Sequence, residues 1–173
     1  IPPHPPFFAL QGIAAFNIAS PRSAPHNAVL ANTQKVASMT DHPLRQAVNV
    51  PGCESLYPNY SSCVIAKPGR LLFVSGQVAV DEEGNNVAIG DVAAQADYVL
   101  QKIEKILKYS GASLDNVVQD RVYVTDREFH PLVLPIRLKH FPENGPASVF
   151  VEVSSLRYPE WLIEIEVMAV LPD

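Results

Sequence analysis

The sequence predicts an α+β fold, one mixed sheet with two helices packed on one of its faces. Three observations predict it. Apolar residues recur at three and four between positions 92 and 107, as on a helix packed on one side. Several shorter runs alternate with a period of two, most clearly Trp161–Val170. The runs follow one another as strand-strand, helix, strand, helix, strand-strand, an order that groups strands around helices in two layers.

The chain has 173 residues, 47% of them hydrophobic and 18% charged, which suits one domain with a core of its own. Residues 1–38 differ from the rest. They hold no Asp or Glu, only Arg22 and Lys35 as strong bases, and prolines at 2, 3, 5, 6, 21 and 25. An acid-poor start of this kind is typical of organelle transit peptides, although the opening prolines forbid an amphipathic helix there. Met39 opens a stretch of different composition, so 1–38 reads either as a transit peptide or as a segment upstream of the start. Residues 1–45 are expected to be a disordered extension and 46–173 the folded domain. The expected compartment is the cytoplasm, or the mitochondrion if 1–38 is a transit peptide.

Pro58-Asn59-Tyr60 marks a turn, followed by a strand from Ser62 to Ala66. Pro68-Gly69 marks another, and Leu71–Val74 is a second strand ending at Ser75-Gly76, so the two are expected to pair as a hairpin. Asp91 stands where a helix N-cap belongs, with Val92, Ala96, Val99, Leu100, Ile103, Ile106 and Leu107 behind it and Gly111 as the natural stop. Val117–Val124 is a strand with Asp120, Val122 and Val124 on one face and Gln119, Arg121 and Tyr123 on the other. A second helix is expected between Glu128 and Phe141. Pro131 suits its first turn, whereas Pro135 should kink or delay it.

Ser148–Val153 is a strand. In the last strand Ile163, Ile165, Val167 and Ala169 form an apolar face, and Glu164 and Glu166 lie side by side on the other. Burying an unpaired carboxylate is costly, so the pair faces either solvent or a polar cleft. Ser148, Phe150 and Glu152 are expected on that same polar face. It is too apolar to stay bare, which points to self-association.

The 13 basic against 18 acidic residues count against a nucleic-acid partner, which needs clustered Lys and Arg. No apolar run approaches the ~20 residues of a membrane span, so no membrane partner is expected. Cys53 and Cys63 read as free thiols, and the five histidines show no metal-ligand spacing. No phosphate-binding glycine loop occurs.

Five collinear stretches carry a resemblance: Asn59-Tyr60-Ser61-Ser62, Leu72–Gln77, Gly90–Gln95, Val122–Asp126 and Ile163–Glu166. Over roughly residues 50–171 the chain resembles the RidA/YjgF/UK114 family of reactive-intermediate (enamine/imine) deaminases. The resemblance implies a chorismate-mutase-like fold, a homotrimer with clefts between subunits, and metal-free, cofactor-free hydrolysis of 2-imino and enamino acids to keto acids and ammonia. Glu164 matches the glutamate that positions the attacking water. Tyr60 matches a tyrosine lining the cleft, and Ser75-Gly76 the stretch whose backbone helps to form it.

The chain departs from the pattern where the family binds the substrate carboxylate. Ser148 stands in place of the arginine, Phe150 in place of a Cys or Thr, and Val133-Leu134-Pro135 where an asparagine is usual. A hydroxyl does not reproduce the bidentate grip of a guanidinium. Losing such a contact costs about 2–5 kcal/mol, a factor of roughly 30 to several thousand. The substrate is therefore expected to lack the standard carboxylate. Arg121 either supplies the lost charge from a neighbouring strand, pairs with Glu164 or Glu166, or caps the sheet edge in water. Three functions follow: an imine or enamine hydrolase using Glu164, a non-catalytic trimer that binds a small ligand or a protein in the same cleft, and RNA cleavage, an activity attributed to some relatives.

Overall fold

The computed structural model describes residues 44–48, 50–53, 55 and 57–172. The expected extension over 1–45 lies outside them except for Leu44 and Arg45. The described elements are β1 (Arg45–Val48), β2 (Cys63–Ala66), β3 (Leu71–Gln77), α1 (Val92–Tyr109), β4 (Val117–Val124), α2 (His130–His140), β5 (Ala147–Glu152) and β6 (Ile163–Val170), with one-turn 3-10 segments before β4 and α2.

Four strands form the main sheet in the order β3-β6-β4-β5. β4 and β5 run parallel and the other pairs antiparallel, so the sheet is mixed. α1 packs on β3, β6 and α2, placing both helices on one side of the sheet as expected. The odd positions of β6 meet Val99, Leu100 and Ile103 of α1, all fully buried. Burial of each large aliphatic side chain contributes about 1.5–3 kcal/mol.

The helix α1 forms where the spacing placed it. The Asp91 carboxylate accepts the Ala94 backbone N–H at 3.0 Å, and Gly111 takes the left-handed conformation (φ +80) past the C-terminus. Its buried Gln95 is fully used: the amide donates to the Ala88 and Glu160 carbonyls and accepts the Leu162 N–H, which fixes the approach to β6. α2 accommodates both prolines. Pro131 lies in its first turn, and Pro135 forfeits only one backbone bond, on an exposed face.

The hairpin of β2 with β3 does not form. β2 pairs instead with β1, in the register Val48↔Cys63 to Arg45↔Ala66. The reason is burial. Cys63, Ile65 and Ala66 are exposed and bring no core face to the sheet, whereas β3 aligns Val74 with Val167 over the helices.

A second expectation is corrected at β5. Ser148 pairs with Asp120 and Phe150 with Val122, and Asp120 and Val122 face the helices. Ser148 and Phe150 therefore lie on the helix side of the sheet, opposite Glu164 and Glu166. The parallel register with β4 sets this parity, and β5 alone does not reveal it. The open face of β5 carries Val149 and Val151, which with Phe73 of β3 leave large apolar side chains exposed beside Arg121, Tyr123, Glu164 and Glu166.

Candidate functional site

The open face of the sheet holds one group of candidate residues. β3 carries a bulge between Val74 and Gln77, so Ser75 and Gly76 have no ladder partner on β6. The Glu164 side chain crosses this gap. A Cβ placed on Gly76 would stand 1.8 Å from Glu164 Oε1, so only glycine leaves room for the carboxylate. Ser75, Gly76 and Glu164 are thus brought together.

The two glutamates of β6 have different surroundings. Register sets Arg121 opposite Glu166 and Tyr123 opposite Glu164. Arg121 Nη1 donates to Glu166 Oε1 at 2.5 Å, and the Tyr123 hydroxyl donates to the same oxygen at 3.2 Å. Burial, then the Glu166 charge, holds the Tyr123 phenol above its ordinary range, protonated as that bond requires. The Glu164 carboxylate has no hydrogen bond or ion pair among the described residues. Partial burial, and then repulsion from Glu166, raise its pKa above the usual glutamate value. A carboxylate raised in pKa and free of partners is suited to take and return a proton. On the same face a cavity of about 210 Å³ is lined by Phe73, Ser75, Gln119, Arg121, Glu166 and Met168, around the Arg121–Glu166 pair and without Glu164.

The other candidates gather on the helix side, at the β5 edge. Gly145 admits the Asn59 carbonyl so closely that any Cβ there would stand 2.0 Å from its oxygen. The Ser61 N–H donates to the Pro146 carbonyl at 3.2 Å, and its hydroxyl to that of Gly145. These contacts fasten the turn carrying Tyr60 to the start of β5. The Tyr60 ring lies under Arg137 of α2, 4.8 Å from the guanidinium carbon to the ring centre.

Arg137 was not anticipated. Its side chain has no exposed surface, nor has that of Asp120, with which it forms a 2.5 Å ion pair. Its Nη2 donates to the Ser148 hydroxyl at 3.2 Å. A cation therefore does touch Ser148, but it comes from α2 and is neutralised from behind. Arg121, the residue weighed for that task, is on the opposite face and bound to Glu166. One signal for Arg137 was available: it follows the buried Val133 by four residues and so shares its helix face. Phe150 completes this side, edge-on to His130 with ring centres 5.0 Å apart.

Within one chain, then, Glu164 with Ser75 and Gly76 occupies one face, and Tyr60, Ser148 and Phe150 the other. Among the described residues no cluster of three or more His, Cys, Asp or Glu is placed to hold a metal ion. Both cysteines are free and exposed.

Comparison with known proteins agrees with this fold. The family model described as Endoribonuclease L-PSP matches residues 54–171. The 3-aminoacrylate deaminase RutC of Acinetobacter baylyi is 35% identical over 103 residues, covering 60% of this chain and 81% of that protein. A solved Rid-family protein of Yersinia pestis superposes with a TM-score of 0.66 at 32% identity, over 74% of this chain and 99% of its own. A Mycobacterium tuberculosis protein of the YjgF/YER057c/UK114 family gives 0.52 at 34% identity, over 65% and 86%. With its α+β architecture and a family match over most of its length, the chain belongs to the Endoribonuclease L-PSP family, the RidA/YjgF/UK114 proteins.

Proposed function

We propose that this protein is a RidA-like hydrolase that converts a reactive imine or enamine into a carbonyl compound and ammonia, with Glu164 directing the attacking water. The observation that carries the reading is the contrast along β6. Glu166 is neutralised by Arg121 and Tyr123, whereas Glu164 is unpartnered, raised in pKa and laid across the bulge at Gly76. The similarity to a protein named 3-aminoacrylate deaminase supports it.

The chemistry balances with water alone. An enamine first takes a proton on carbon, giving the iminium ion, the same species that a protonated imine presents. Glu164 accepts a proton from water as its oxygen bonds to the iminium carbon, giving a neutral carbinolamine. The protonated Glu164 returns that proton to nitrogen; the C–N bond then breaks and ammonia leaves as the hydroxyl gives its proton to the carboxylate and the carbonyl forms. The backbone of Ser75-Gly76, which lacks a ladder partner on β6, flanks the carboxylate and supplies polar contacts to the substrate.

The site is completed between copies of the chain. Tyr60, Ser148 and Phe150 lie across the sheet from Glu164, so one chain does not bring them onto a common ligand. A trimer joined over the exposed Phe73, Val149 and Val151 covers that apolar surface and sets the two groups face to face. RNA cleavage is disfavoured: Arg137 is buried, Arg121 is held by Glu166, and the net charge is −5.

The test is ammonia release from imines generated in situ by an amine or amino-acid oxidase, comparing the wild type with Glu164→Gln. Loss of about 10²–10⁴-fold in the variant is expected of a positioned general base. Equal release from every substrate would remove the hydrolase reading and leave a non-catalytic trimer that binds its ligand in the same cleft.

A further inference from the structure

We infer that the β5 wall of the site selects a planar uncharged group, an aromatic or conjugated ring, where a carboxylate would otherwise sit; this rests on the hydrolase reading above. Four rings form a continuous wall along this edge. Tyr60 and Tyr57 meet edge to face with centres 5.9 Å apart, Tyr57 and His130 are 5.4 Å apart, and His130 and Phe150 5.0 Å. All four are half-buried, so each keeps surface for a ligand. The spacings lie in the range where aromatic edges and faces attract, and a further ring extends the same pattern.

The charge arrangement excludes a carboxylate. Arg137, the cation against Ser148, has a side chain with no exposed surface and is neutralised by Asp120. Its guanidinium lies over the Tyr60 ring, its Nη1 and Nη2 are taken by Asp120 and Ser148, and its Nε, which has no partner among the described residues, is buried away from the surface. A carboxylate at the wall would be desolvated against ring faces, which carry partial negative charge, with Asp120 behind them. A neutral ring meets no such cost. The reaction at Glu164 is unchanged: water oxygen bonds to the imine carbon, the C–N bond breaks, and nitrogen departs as ammonia.

Binding separates this inference from the catalytic one, because the probes are unreactive ketones. Acetophenone and 2-oxobutanoate are titrated into the full chain at pH 8, above the ordinary imidazole range, and followed by protein NMR. Acetophenone is expected to shift the signals of Tyr57, Tyr60, His130 and Phe150 and to bind at least about tenfold tighter than 2-oxobutanoate. Phe150→Leu, which keeps an apolar side chain in place, should weaken acetophenone about tenfold, the worth of a lost ring contact with its buried area. Phe150→Ala should do the same provided its melting temperature is retained. Tighter binding of 2-oxobutanoate, or unchanged acetophenone affinity in Phe150→Leu, would overturn the inference. Glu164-dependent ammonia release confined to carboxylate-bearing imines would also overturn it while leaving the hydrolase reading intact. Acetophenone at the wall with no ammonia from any imine would leave the inference standing and remove the hydrolase reading.

Discussion

Gly76→Ala separates catalysis from folding at one atom. Gly76 does not need a left-handed backbone, so alanine adds no strain of its own, and by restricting the unfolded chain it would contribute about 0.4–1 kcal/mol of stability. The new methyl, however, would stand 1.8 Å from Glu164 Oε1 and 2.7 Å from Cδ. The carboxylate must retreat by about 1.5 Å to reach ordinary contact, and a side-chain rotation accomplishes this at little cost in stability. For catalysis, a misplacement of about 1 Å costs on the order of 100-fold. The expected result is a fall in kcat/KM of about 100-fold or more, read by ammonia release, with a melting temperature within a few degrees of wild type. Wild-type turnover in Gly76→Ala would refute the placement of Glu164 as the acting group.

The pH dependence follows from the raised pKa of Glu164. Activity that needs its ionised form should fall, on acidification, at a pH above that of an ordinary glutamate. Because the folded-state pKa lies above the unfolded one, the ionised group lowers stability at neutral pH, and that cost disappears as pH falls through the unfolded value. Glu164→Gln should therefore melt at or above the wild type at pH 7 and lose this advantage near pH 4; lower stability at pH 7 would contradict the argument. Arg137→Met strands a buried Asp120 and should cost about 3–5 kcal/mol in denaturant unfolding. Adding Asp120→Leu should recover most of it, and a double variant no better than the single one would show that Arg137 acts by packing. Asp91→Ala removes the α1 cap and should cost about 1 kcal/mol.

How much could be read from the chain depended on how local each signal was. α1 was legible from Asp91 to Gly111 because its cap, apolar spacing and stop all lie within one segment. The alternation of β6 likewise needed no partner to show its buried face. The face of Ser148 and Phe150 was not legible, because their parity is inherited from pairing with Asp120 and Val122, some thirty residues earlier. β1 was hidden for a related reason: four residues with little alternation become a strand only against β2. Pro135 obscured the face of α2 that carries Arg137. Glu164 and Glu166 look equivalent in sequence, and only the register with Arg121 and Tyr123 gives them different partners.

The central claim is that Glu164 of one copy acts on a substrate held against Tyr60 and Phe150 of another. Mixing two inactive variants tests it most directly. Glu164→Gln and Tyr60→Ala chains, unfolded together in equal amounts and refolded, should assemble at random into shared copies of the proposed trimer. Sites that take Glu164 from one variant and Tyr60 from the other regain both residues, so about a quarter of wild-type ammonia release is predicted. Activity no greater than the sum of the two separately refolded variants would contradict the account.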